Sequence, residues 1–107
     1  MSDQQQRVPA GGVVFNGWVW AREPYSFVSK TTGAETTVVE LRDQRRLGNA
    51  LVVYLDGEVG NLAGVPVGTP VTLHVEEVRS GRNRGELVGR AARADVEAAA
   101  ARAVKAR

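Results

Sequence analysis

The sequence predicts an all-β domain followed by a short C-terminal helix or tail, and three observations lead there. Stretches rich in β-branched and aromatic residues, such as VVFNGWVWA and GTPVTLHVEEV, recur along most of the chain. Glycine- and proline-containing segments separate them at short intervals. Beyond Asp95 the chain turns alanine-rich, the composition of a helix rather than a strand. With 107 residues there is room for one core, so residues 12–94 are read as a single barrel domain. Residues 1–11 are read as a flexible, disordered arm, and 95–107 as an Ala/Arg-rich helix or tail.

Each element has its own signal. In the first strand, period two puts Val13, Phe15, Gly17, Val19 and Ala21 on one face. Val14, Asn16, Trp18, Trp20 and Arg22 then share the other. Gly17, in mid-strand, marks a bend or bulge, and Pro24 ends or interrupts the strand. YSFVS (Tyr25–Ser29) leads to KTTGAE, where Gly33 suits a hairpin tip, and ETTVVELRD returns. A charged turn, DQRRLGN, precedes ALVVYLD, with Leu51, Val53 and Leu55 opposite Val52 and Tyr54. The four glycines and two prolines from Gly57 to Pro70 exclude a long helix and indicate a compact connector. GTPVTLHVEEV follows, with Val71, Leu73 and Val75 inward; SGRNRG is a basic turn and ELVGRAARA the closing strand. In DVEAAAARAVKAR, Asp95 is the candidate N-cap, and a mostly alanine stripe predicts weak docking or fraying. Five or six short strands with a glycine-bent first one suit a small five-stranded barrel of the OB type. An SH3-like barrel or a small β-sandwich fits the same strand count.

Composition narrows the function classes. The absence of cysteine excludes disulfides, thiolate zinc sites and a cysteine nucleophile. The polar amino terminus has no apolar segment of a signal peptide, and no run approaches the roughly 20 apolar residues of a membrane span. A soluble, cytoplasmic protein is therefore expected. Fourteen basic against twelve acidic residues leave a net charge of only +2, so no strong basic field attracts polyanions. Twelve of the fourteen are arginine, whose planar fork suits phosphates and whose flat face stacks on bases. A GC-rich gene would produce the same bias.

Catalytic chemistry has no foothold. The single histidine, His74, lies mid-strand with no second histidine or cysteine nearby in sequence. Glu76 and Glu77, adjacent in a strand, point to opposite faces and cannot share a proton. GEVGNLAG lacks the lysine and hydroxyl of a phosphate-cradling loop. No enzyme, cofactor or metal site is expected.

Binding is better supported. If Phe15 and Val19 fill the core, Trp18 and Trp20 face outward beside Asn16 and Arg22, as a stacking surface for unpaired bases would require. A dimer interface or a second core layer would also accommodate them. Tyr25 and Phe27 share a face two residues apart. Arg79, Arg82, Arg84, Arg90 and Arg93 stand against one acid, Glu86. Arg45 and Arg46 occupy another turn, and Arg22 and Lys30 flank the aromatic hairpin. Such turns can form a basic groove whose binding falls steeply with salt, or can simply be solvated.

The segments REPYSF, VELRD, LVVYLDGE, GTPVTLHVEEV and SGRNRGEL, in that order over roughly residues 13–93, resemble the small single-stranded DNA-binding proteins of filamentous phages. The resemblance implies an OB-type fold, a symmetric homodimer and cooperative, non-sequence-specific coating of single-stranded DNA during replication. It places Arg22 and Tyr25 on the DNA-binding hairpin, Tyr54 on the middle strand and Ser80–Gly85 in the loop near the dyad. The tryptophan pair and the alanine-rich tail depart from that pattern. The expected function is thus single-stranded DNA binding, with RNA the alternative ligand. The expected site is Trp18, Trp20, Arg22, Tyr25, Phe27, Lys30, Arg45, Arg46, Tyr54, Arg79, Arg82 and Arg84. The rival function is a protein-interaction or structural module with its tryptophans in a subunit interface.

Overall fold

The structure, a computed structural model, describes residues 12–46 and 48–105. Seven strands are assigned: β1 (Val13–Trp20), β2 (Tyr25–Val28), β3 (Glu35–Asp43), β4 (Ala50–Asp56), β5 (Pro70–Val75), β6 (Glu77–Ser80) and β7 (Glu86–Arg90). A 3-10 turn (Gly60–Gly64) lies between β4 and β5, and helix α1 (Arg93–Lys105) closes the described chain. The arm expected over residues 1–11 lies outside the described residues.

The strands make one curled sheet in the order β5-β1-β3-β4-β7-β6, with β2 also pairing on β3. Only β4 and β7 run parallel; the other pairs are antiparallel. The two end strands of this path, β5 and β6, are separated by Glu76 alone. One bent stretch therefore serves β1 with its first half and β7 with its second. The Glu76 N–H donates to the Arg90 carbonyl (2.9 Å), so backbone pairing bridges the bend. Gly89 permits this close approach. A Cβ there would lie 2.7 Å from Val75 Cγ1 and 2.9 Å from the Glu77 carbonyl oxygen.

The count of seven exceeds the expected five or six because two long strands are interrupted. Pro24 is buried and has no N–H to give a ladder, so β1 and β2 pair with β3 on either side of a break. Glu76 divides β5 from β6 in the same way. The hairpin forms as expected around Gly33 (φ 74°), whose N–H donates to the Ser29 carbonyl.

Gly17 changes the facing of β1. Asn16 lies opposite Thr72 and Trp18 opposite Val71, so Gly17 is one extra residue on this strand. Its φ of 82° is open to glycine at little cost. An inserted residue reverses the alternation beyond it. Phe15 before the bulge and Trp18 and Trp20 after it consequently all turn inward, while Val14 is 60% exposed. The expectation that both tryptophans face outward is corrected here. Trp20 is 1% exposed, at the heart of a core with Leu41, Leu51, Val53, Leu73 and Val75. Trp18 is half-buried, its ring edge-on to Phe15 at 5.2 Å and 88°.

The connector after β4 contributes Leu62 and Val65 to the same core, and α1 adds Val96, Ala99 and Ala100, packing on β5. The helix begins at Arg93, two residues before the expected N-cap. Asp95 lies in its first turn and pairs with His74 Nδ1 (3.3 Å) on β5. Arg93, counted above among the basic residues, is engaged internally. Its guanidinium donates to the carbonyls of Asp56 (2.9 Å) and Val59 (3.2 Å) and to Glu97 (2.9 Å). These bonds fasten a helix whose small apolar residues hold it weakly.

Two changes test this core. Trp20→Ala is expected to cost about 3–5 kcal/mol in urea denaturation, as for other buried aromatics. Gly17→Val, which places a β-branched residue at a φ of 82°, is expected to cost about 1–3 kcal/mol. Unchanged stability of Trp20→Ala contradicts the inward placement, and unchanged stability of Gly17→Val contradicts the bulge.

Candidate nucleic-acid interface

The outward faces of β2, β3, β4 and β7 are unusual in being apolar along their middle. Tyr25 lies opposite Val38, Val38 opposite Tyr54, and Tyr54 opposite Arg90. The next row on the same face runs Glu40, Val52, Val88 and Arg79. Val38 is buried although it stands outside the main core, between its cross-strand partners Tyr25 and Tyr54. A groove of about 630 Å³ follows these rows and is walled by the β6–β7 turn. Its aromatic side is Tyr25 and Tyr54; its basic side is Arg79 and Arg82.

The aromatic side is held by ring contacts. Phe27 stands edge-on to Tyr54 at 6.5 Å and 89°. The Arg22 guanidinium lies 5.0 Å from the centre of the Tyr25 ring, within cation–π range. Tyr25 and Phe27 are 45% and 44% exposed, so their faces remain available to a ligand. On the basic side, the β6–β7 turn is shaped by Glu86. One of its carboxylate oxygens accepts the N–H groups of Arg82 (3.0 Å) and Asn83 (3.3 Å). Gly81 makes room for that carboxylate, which a Cβ would meet at 2.5 Å. The only other acid lining the groove, Glu40, lies 3.6 Å from the Arg42 guanidinium. Glu40 is thus partnered by Arg42, whereas Glu86, bonded to neutral backbone N–H groups, keeps its charge beside Arg79 and Arg82.

Of the twelve residues singled out in the sequence, four line this groove, Tyr25, Tyr54, Arg79 and Arg82, and two more, Arg22 and Phe27, contact its tyrosine rings. Trp20 does not, being in the core. Lys30 is exposed at the β2–β3 hairpin tip, outside the groove wall. Arg45 and Arg46 are exposed in the β3–β4 turn, which Asp43 braces by accepting the Arg45 N–H (2.9 Å). Trp18 and Arg84 line a second groove beyond the β6–β7 turn.

Sequence reasoning missed the floor, Val38, Val52 and Val88. Its signal was present: TTVVEL and ALVVYL are apolar on both faces, as two-sided strands are. Among the described residues no helix is long and apolar enough to cross a membrane. No group of three or more His, Asp or Glu among them could hold a metal ion.

The turn offers a direct check. Glu86→Ala removes the acceptor for two backbone N–H groups and is expected to destabilise the turn locally by about 1 kcal/mol. Amide hydrogen exchange at Arg82 and Asn83 should accelerate, with Glu86→Gln retaining most of the protection. Unchanged exchange contradicts the brace.

Compared with protein-family models, with curated proteins and with solved structures, the chain finds no match.

Proposed function

We propose that the protein is a non-sequence-specific single-stranded DNA-binding protein that holds its ligand on the outer groove. The observation that carries this reading is the facing of Tyr25 and Tyr54 with Arg79 and Arg82 across one apolar floor. Stacking on exposed rings contributes about 1–3 kcal/mol per base and tolerates any base, while arginines bind phosphates. Arg22 contacts the Tyr25 ring and Phe27 the Tyr54 ring.

The strand path supports an OB-type barrel as the frame. Joining β1 with β2 and β5 with β6 leaves five strands in cyclic order, with the third and fifth parallel. OB barrels bind oligonucleotides on the second- and third-strand face, here β3 and β4. The reading also takes up kinship with the small helix-destabilising proteins of filamentous phages, a homodimeric state and a cytoplasmic role in DNA replication. The rival, a protein-interaction module with both tryptophans at a subunit interface, loses its main support because Trp20 is in the core.

The test is anisotropy of a labelled thymidine oligonucleotide titrated with the protein, beside an RNA oligomer of the same length. Tyr25→Ala and Tyr54→Ala are each expected to weaken binding by about 5- to 150-fold. With about three phosphates neutralised, raising salt from about 50 to about 200 mM should weaken binding about 15- to 20-fold. Absence of binding at low salt, or binding indifferent to both tyrosines, overturns the proposal. A strong preference for RNA reassigns the ligand.

A further inference from the structure

Beyond the β6–β7 turn lies a second groove of about 500 Å³, lined by Trp18, Asn49, Arg82, Arg84 and Leu87 among others. The two grooves share Ser80, Arg82, Asn83 and Glu86, so the turn is a ridge between them. We infer that this second groove is a stacking subsite for one further unpaired base, reached by a strand that crosses the ridge. The inference rests on the reading above and adds to it a route and an end point.

Four observations carry it. First, Trp18 is half-buried rather than buried, and its edge-on contact with Phe15 at 5.2 Å fixes its ring. A ring already held in place pays little ordering entropy when a base stacks on it. Second, Arg82 lines both grooves, where one guanidinium can bridge successive phosphates as a strand crosses the ridge. Third, two arginines, Arg82 and Arg84, line the second groove against a single acid, Glu86, one of whose carboxylate oxygens is held by the turn's own N–H groups.

Fourth, the neighbouring turn adds charge on the far side. Asn49 lines the groove, and its N–H donates to the Arg46 carbonyl (2.8 Å), so the turn bearing Arg45 and Arg46 borders it. Both of these arginines are exposed. Trp18 and Arg84 thus line the second groove, and the turn that carries Arg45 and Arg46 borders it. Trp20 takes no part; its indole is sealed in the core and supplies a constant background emission.

Length dependence and fluorescence test the subsite together. A short thymidine oligomer, of about three nucleotides, fits the outer groove alone, whereas one of about eight reaches across the ridge. Titration of wild type with the longer oligomer should quench tryptophan emission, and the shorter should not. Trp18→Phe should abolish the quenching while retaining a ring to stack on. Trp18→Leu and Arg84→Ala are expected to weaken the longer oligomer about 5- to 20-fold and leave the shorter unchanged. Circular dichroism and thermal melting of each variant establish that it is folded, and Arg84→Ala, on the exposed turn, carries the test should Trp18→Leu unfold.

Failure separates cleanly. If both oligomers bind and Tyr25→Ala weakens both, yet Arg84→Ala changes neither and no quenching occurs, the subsite is wrong and the outer groove stands. If neither oligomer binds, the reading beneath it is wrong as well.

Discussion

An extra residue in β1 decides which side of this sheet is core and which is free. Gly17 adopts a φ of 82° between Asn16 and Trp18, and the pairing with β5 slips by one residue there. Phe15, Trp18 and Trp20 then form one inward row instead of being divided between two faces. In a chain of this size the burial of one tryptophan is a large share of the net stability. The core built around Trp20 is what allows the opposite face of β3 and β4 to be given over to contacts of another kind.

That opposite face is costly unless something covers it. Val38, Val52 and Val88 line its floor, and within the chain they are sheltered by Tyr25, Tyr54 and the β6–β7 turn. An apolar floor between aromatic rings and arginines suits a ligand with flat apolar faces joined by anionic links. Single-stranded nucleic acid has that chemistry. The curl of the sheet adds the geometry, because Gly89 lets the bent β5–β6 stretch close over β7 and carries Arg79 to the groove's edge. Arg93, by contrast, fastens α1 to the end of β4 and the connector after it.

Much of this was legible in the residue order, and the misses have definite causes. The strands, the Gly33 hairpin, the compact connector and a C-terminal helix follow from local propensity and turn chemistry, which the fold leaves unopposed. Gly17 was recognisable as a bulge, yet strict alternation carried past it put Trp18 and Trp20 on the wrong side. A bulge and an unbroken period of two are incompatible, and only the partner strand reveals which wins. Tyr25 and Phe27 were legible as a pair on one face because the hairpin keeps its register, whereas Tyr54 was singled out only through the resemblance. Their convergence with Arg79 and Arg82 was not legible, because it depends on the bend at Glu76. The role of Arg93 was illegible for a similar reason: its acceptors are carbonyls 34 and 37 residues earlier in the chain.

The central claim is that a single nucleic-acid strand lies on the outward face of β2, β3 and β4 and against the β6–β7 turn. Mapping backbone amide shifts by NMR during titration with a thymidine oligonucleotide examines it most directly. The expected result is a continuous track of shifted amides through Tyr25–Phe27, Val38–Glu40, Val52–Tyr54 and Arg79–Asn83, with α1 and β5 unmoved. Shifts concentrated on α1 and β5, or none at a saturating oligonucleotide concentration, would contradict it.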